Sequence, residues 1–305
     1  MKAVREPTGD PAASVQAVAD IVADYDVIVT PGFQFAGISQ LAVENPDKKF
    51  ILVDSEPAPV GDQTEFDNVY AMNFAEQESG FFAGVAAALE SKTKKVAVVN
   101  GIAYPSNVNY QFGFESGVNY ANKHLGTNVE IIELPGYSGT DVNGNDVGGN
   151  YVGTFSDPAT GKTLGNMLID QGVDIIFSAA GGSGSGVITA AKEAKGDIKI
   201  IGVDVDQYDE GQVGDKNVIL TSAVKVMDLN VKRQLEAIVN GTFKGGNVVL
   251  YADTDSTGYV KKEGRHQLSE DTLAKLEEVY QLVKEKKIVP ASNFNGHTPE
   301  NFPGL

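Results

Sequence analysis

Cysteine is absent from all 305 residues, which excludes disulfides, thiol nucleophiles and any zinc site built on thiolates. Histidine is nearly so: His124, His266 and His297 lie far apart, with no pair at metal-ligand spacing. Basic residues are outnumbered, 24 Lys and Arg against 41 Asp and Glu, giving a formal net charge of −17. That deficit argues against a nucleic-acid binder, whose affinity for phosphate rests on clustered cations, and against docking on anionic headgroups. Long apolar runs are missing too. Nothing approaches the roughly 18 uninterrupted apolar residues of a membrane span, and the opening Met1-Lys2-Ala3-Val4-Arg5-Glu6-Pro7 has no apolar core of a signal peptide. The chain as written is expected to be soluble.

What is present is an ordinary globular composition, 42% hydrophobic and 21% charged, over a length that suggests about two domains. Short β-branched runs alternate with helical stretches. Residues 26–30 (DVIVT), 49–54 (KFILVD), 95–100 (KVAVVN), 129–134 (VEIIEL), 173–178 (VDIIFS) and 199–204 (KIIGVD) read as buried strands. Helices are expected at 11–24, 79–89, 107–124, 162–171, 186–195, 228–239 and 269–286, the last with Leu273, Leu276, Val279, Tyr280 and Val283 at helical spacing. Near-continuous apolar strands between helices imply parallel sheets covered on both faces. The fold class is therefore α/β, with one half-sheet up to Asn100 and a second from Val129 to Asp204. The glycine-rich stretch 136–153 reads as a mobile loop, and 290–305 as a packed or frayed tail.

Open α/β sheets bind ligands at the carboxyl ends of their strands, so the binding chemistry is expected at those ends. After 26–30 come Phe33 and Phe35, core packing or an aromatic platform for a ring. After 95–100 comes Gly101-Ile102-Ala103-Tyr104-Pro105, where Tyr104 is a cleft wall or a packing residue. After 173–178 comes Gly181-Gly182-Ser183-Gly184-Ser185-Gly186, which lets backbone N–H groups approach a ligand or simply makes a tight turn. It fits no dinucleotide, phosphate-loop or nucleophile-elbow pattern. Asp204 ends the strand 199–204 and could accept two hydroxyls of a ribose or pyranose, or else serve as a cap or ion-pair partner. Lys225, after the extended stretch 218–224, could satisfy that carboxylate and donate to a sugar oxygen. The calcium-like runs starting at Asp141 and Asp253 lack the glycine or the twelfth-position glutamate of an EF-hand and read as turns.

Eight segments in order resemble the basic membrane lipoprotein (BMP) family, solute-binding components of ABC importers that include purine nucleoside-binding lipoproteins: YDVIVTPGF, PDKKFILVDSE, NFAEQESGFFAG, FGFESGVNYAN, GTFSDPATGK, DIIFSAAGGSGSGV, IIGVDVDQ and LTSAVK. The resemblance implies a two-lobed type I periplasmic-binding fold, each lobe a parallel sheet flanked by helices, with the ligand cleft between lobes. It implies lobes at 1–104 with 226–247 and at 105–225 with 248–305. Asp204 and Lys225 would hold a ribose, Phe155 would stack on a base, the Gly181–Gly182 backbone would line the pocket beside Tyr104, and Phe33 would face it from the first lobe. Two departures stand out. Family nucleoside binders often carry an acidic residue in the crossover where this chain has Ala103. The family also begins with a strand, a ligand-contacting loop and a lipoprotein signal ahead of the segment matched by Met1–Pro7. On that reading the full-length form is an extracytoplasmic, lipid-anchored monomer serving an ABC permease. This chain alone would fold poorly, or pair an open sheet edge with a second copy.

The leading expectation is a solute-binding protein for a nucleoside or related ribosylated molecule, acting by lobe closure. No cofactor, metal, nucleic-acid partner or catalysed reaction is expected. The second expectation is a ligand-sensing module of the same fold. An enzyme using Asp204, Asp206 and Glu78 as paired carboxylates ranks third.

Overall fold

A computed structural model describes residues 2–5 and 9–305. Residues 1 and 6–8, part of the segment set against the family's opening, lie outside the described residues. In chain order the strands are β1 (Val27–Pro31), β2 (Lys49–Val53), β3 (Val69–Phe74), β4 (Lys95–Asn100), β5 (Glu130–Ile131), β6 (Gly139–Thr140), β7 (Asp146–Gly148), β8 (Ile175–Ala179), β9 (Lys199–Asp204), β10 (Gln212–Val213), β11 (Lys216–Asn217), β12 (Ile219–Lys225), β13 (Gly246–Leu250) and β14 (Thr257–Tyr259). The helices are α1 (Pro11–Ala19), α2 (Ile38–Glu44), α3 (Glu76–Glu90), α4 (Pro105–His124), α5 (Pro158–Asp170), α6 (Gly184–Glu193), α7 (Met227–Val239) and α8 (Glu270–Lys284). Capping chemistry sets several starts. Asp10, Asp157 and Ser269 accept backbone N–H groups of Ala13, Thr160 and Thr272 at the heads of α1, α5 and α8.

The chain forms two compact units: residues up to Phe74 with Val226–Leu250, and Ala75–Lys225 with Tyr251–Leu305. The first division falls earlier than the expected 104/105. The reason is strand pairing: β4 lies between β8 and β5, so the stretch from Ala75 onward builds the second unit's sheet rather than the first's.

The first unit holds a four-stranded parallel sheet in the order β1-β2-β3-β13, with β1 and β13 at its edges. One face buries Ile28, Phe50, Leu52, Val69 and Ala71 against α1 and α2 residues such as Val18 and Ile38. The other face, Ile51, Val53, Met72 and Phe74, packs on the half-buried stripe Met227, Val231, Leu235 and Ile238 of α7. Beside edge strand β1, residues Val29, Pro31 and Val53 and the α7 residues Met227, Val231 and Leu235 line an open groove of about 570 Å3.

The second unit is built on a six-stranded sheet, β14-β12-β9-β8-β4-β5, parallel except for β14. Helices α3, α4 and α8 cover one face around Phe81, Phe82, Phe114 and Phe177, and α5 and α6 cover the other around Leu164, Leu168 and Val187. Helices α3 and α4 cross with backbone nearly on backbone. A Cβ on Gly84 would lie 2.0 Å from the Phe114 carbonyl oxygen, so only glycine permits the approach.

The stretch 136–153, expected to be mobile, is pinned instead. Strands β6 and β7 pair as a small hairpin, Asp141 accepts the backbone N–H groups of Asn143 and Asn145, and buried Asn150 ties the loop to the Val98 and Ile132 carbonyls. The tail is packed: Ile288, Ala291 and Phe302 are buried.

Candidate functional site

The parallel strands β4, β8, β9 and β12 of the second unit end together along one edge of its sheet. The register sets Asn100 opposite Ala179 and Val224 opposite Asp204. That edge therefore carries Gly101, the Gly181–Gly182 turn, Asp204 and Lys225, the region where this class of sheet holds ligands.

Asp204 ends β9 in the left-handed region, φ 64°, a conformation Asp tolerates better than most residues. Its carboxylate is 43% exposed, while the Lys225 side chain is 4% exposed. Lys225 Nζ lies 3.6 Å from Asp204 Oδ1, and Tyr110 donates its hydroxyl to the same oxygen at 2.8 Å. The ammonium also lies 5.4 Å from the Tyr110 ring centroid, in reach of a cation–π attraction. Glu76 Oε1 stands 3.3 Å from the same Nζ. Glu76 opens α3, and its Oε2 accepts a hydrogen bond from Asn109 at 3.0 Å. Lys225 thus stands within ion-pair reach of both Glu76 and Asp204. Asp204 is the more exposed of these, with an outward-facing carboxylate oxygen able to accept further hydrogen bonds.

Aromatic surface lies on the same edge. Phe155 sits in the connection after Tyr151, and its ring centroid is 6.0 Å from that of Tyr104. A Cβ on Gly101 would come within 2.3 Å of the Phe155 ring, so glycine at the end of β4 makes room for it. The Gly181–Gly182 turn packs on Phe155 from β8. The Ser183 N–H donates to the Phe155 carbonyl at 3.0 Å, and Ser183 Oγ donates to the Thr154 carbonyl and accepts the Asp157 N–H, locking the connection.

Of the seven residues expected at a site, six are thus in the second unit. Asp204 and Lys225 form one group, and Tyr104, Phe155, Gly181 and Gly182 another. Phe33 belongs to the first unit, on the turn after β1, and is 65% exposed. Ala103, in the crossover where family nucleoside binders often carry an acidic residue, is buried against Val108 and Tyr151. The sequence reading passed over Glu76, Asn109 and Tyr110. The signal for Glu76 was its place two residues after a strand end, but that strand, β3, was itself not read.

The structure does not assemble the carboxylate pair considered for an enzyme. Glu78 accepts the Ala252 N–H at 2.7 Å and the Thr257 hydroxyl at 2.6 Å, and burial pushes its pKa up to about 7. Asp206 binds Arg265 at 2.7 Å. Among the described residues no group of His, Asp and Glu could hold a metal ion, and no helix is long and apolar enough to cross a membrane.

Comparison with known proteins gives the same picture of a binding fold. Among relatives, a CD4+ T-cell-stimulating antigen of Listeria monocytogenes is 31% identical over 272 residues, 85% of this chain and 68% of that protein. The ABC transporter nucleoside-binding protein BmpA of Lactococcus lactis is 29% identical over 239 residues, 74% of this chain and 61% of its own length. Among solved structures, an ABC transporter solute-binding protein from Aeropyrum pernix superimposes with a TM-score of 0.71 at 24% identity, covering 94% of this chain and 83% of the other. One from Conexibacter woesei gives 0.72 at 20% identity, covering 95% and 87%. These structural likenesses carry the α/β periplasmic-binding architecture. The family model for PnrA-like ABC transporter substrate-binding proteins matches residues 12–134 and 144–293, and the chain belongs to that family.

Proposed function

We propose that this substrate-binding protein captures a nucleoside or a closely related ribosylated molecule for an ABC permease. The observation that carries the reading is the outward-facing Asp204 carboxylate, backed by Lys225 at 3.6 Å and Tyr110 at 2.8 Å. A fixed carboxylate beside a buried cation accepts a pair of vicinal hydroxyls, as a ribose offers. The exposed ring of Tyr104 and the half-buried ring of Phe155, on the same sheet edge, supply an apolar surface for a flat base. A relative named as a nucleoside-binding protein agrees with this choice of ligand.

Capture works by closure of the two units on the ligand. The ligand shifts the open–closed equilibrium by its higher affinity for the closed form, and the permease recognises that form. The protein acts outside the cytoplasm, held to the membrane by a lipid anchor, and catalyses no reaction. The ribose contacts are the stronger part of the site, and base selectivity is broad because Ala103 presents no acceptor.

Thermal unfolding against a panel of adenosine, guanosine, inosine, uridine, free hypoxanthine, ribose and glucose tests this. A ligand present at 100 times its dissociation constant stabilises by about 2.7 kcal/mol. Nucleosides should raise the melting temperature and free bases should not. A shift with glucose or ribose alone would replace the nucleoside by a sugar.

A further inference from the structure

Asp204 is held in an unusual backbone state. The Val205 N–H donates to the Val203 carbonyl at 2.7 Å, closing a three-residue turn whose centre, Asp204, has φ 64°. A turn of this kind with positive φ at its centre is the rare and strained form, and a residue other than glycine keeps it only where its surroundings over-determine it. Gln207 supplies that restraint. Its Oε1 accepts the Val203 N–H at 2.8 Å, just beyond the last β8–β9 pair at Ile201. Its own N–H donates to Ser222 Oγ on β12 at 3.2 Å. Strand β9 makes room for it: a Cβ on Gly202 would come within 2.7 Å of Gln207 Oε1, which accounts for a glycine inside a buried strand. Arg265 fastens the next residues of the same turn. It binds Asp206 at 2.7 Å and Asp209 at 2.7 and 3.0 Å, and lies 5.3 Å from the Tyr208 ring centroid.

We infer that Gln207, fastened further along by Arg265, is a positioning residue for ligand capture, an inference that rests on the ribose-site reading above. Gln207 ties the residue before Asp204 to the turn after it, and both to β12. Those ties close a ring around residue 204 and hold its φ positive, with the carboxylate beside Tyr110 and Lys225. Without the Gln207 acceptor the ring opens. Asp204 then relaxes to the extended region that residues with a Cβ prefer, and its carboxylate leaves the place where ligand hydroxyls meet it. The left-handed turn has to be restored before those hydroxyls bind, and affinity falls by the fraction of molecules that no longer hold it. Tyr104 and Phe155 are not part of the ring, so the base contacts are untouched.

The test compares inosine with 2′,3′-dideoxyinosine, which lacks both ribose hydroxyls, by titration calorimetry on the full chain. Gln207→Met, similar in length but without the acceptor, should weaken inosine about tenfold, the scale of the left-handed penalty. It should leave the dideoxy compound unchanged, and Gln207→Glu, which keeps an acceptor oxygen, should recover part of the loss. Equal weakening of both compounds, or of neither, overturns the inference. If Gln207→Met does not fold, Arg265→Met takes its place, with a smaller loss confined to inosine expected and the same overturning results. A ligand-free arm keeps the two claims apart. Asp204→Ala and Asp204→Gly both remove the carboxylate and differ in their tolerance of positive φ. With Gln207 in place, Asp204→Ala should melt below Asp204→Gly. Combined with Gln207→Met the order should reverse, because a relaxed turn favours alanine. The same order in both backgrounds, or Asp204→Ala the more stable with Gln207 in place, overturns the inference. If the wild type binds neither nucleoside, the ribose-site reading fails, and the melting order still decides whether Gln207 holds the turn.

Discussion

Helices α3 and α7 each follow directly on a passage of the chain between the two units, yet they are packed in opposite ways. Helix α3 buries twelve of its fifteen residues, whereas α7 buries one of thirteen, Asn230. The sequence explains why. From Ser79 to Leu89 helix α3 is small or apolar around its whole circumference, so it fits between a sheet, helix α4 and helix α8. MDLNVKRQLEAIV carries Asp228, Lys232 and Glu236 on one side and can give only a stripe to β2 and β3. The lesson is that the two units stabilise themselves by different means. The second is a close-packed layer in which even carboxylates are buried. The first is a thin sheet whose α7 face stays partly open at the β1 edge.

That contrast can be broken most sharply at the α3–α4 crossing. Gly84→Val should destabilise by about 4 kcal/mol or more, because the new Cβ meets backbone rather than a side chain that can move. Urea unfolding followed by circular dichroism reads the loss. No loss, or the small gain expected where valine replaces an exposed helical glycine, would mean that the helices are not in contact there.

A smaller effect should come from pH. Burial raises Glu78 from 4.5 to about 7 in the folded protein. An acid whose folded pKa lies above its unfolded value stabilises fully below the unfolded value. Its contribution is lost as pH rises through the folded value, here between pH 4.5 and about 7. The shift corresponds to about 3 kcal/mol. Relative to the wild type, Glu78→Gln should therefore gain stability between pH 5 and pH 8, as seen in urea midpoints. Glu115 is raised in the same direction, but it is common to both proteins and cancels in the comparison. A difference that does not change with pH would place Glu78 in water.

The smallest effect is expected on α7. Val239 is 85% exposed, so Val239→Asp should change stability by no more than about 0.5 kcal/mol. A cost of several kcal/mol would show that this end of α7 is covered.

The residues themselves show how far the sequence could be read. Strands 26–30, 49–54, 95–100, 173–178 and 199–204 were legible because each is a short β-branched run closed by Pro, Asp, Asn or Ala. Strand β3, VYAMNF, was not, because Ala, Met and Asn interrupt the pattern that marks a buried strand. Missing it hid Glu76. The run 129–134 pairs in the ladder only over Glu130–Ile131, since the Leu134 N–H turns to the side chain of Asn150, a loop contact that periodicity cannot show. The division of the chain was misplaced for a similar reason: nothing in 95–100 says which sheet it joins. The Asp204–Lys225 ion pair was legible because both lie at strand ends. Tyr110 was not, because it lies within a helix, away from the strand ends where ligand chemistry is expected.

The central claim is that Asp204 is the residue on which ligand capture depends. Titration calorimetry of the wild type and Asp204→Asn, using the nucleoside that most raises the melting temperature, tests it directly. Asparagine keeps the shape but removes the charge that accepts two hydroxyls, so affinity should fall about 100-fold with little change in fold. Equal affinity in the two proteins would contradict the account and place the ligand elsewhere.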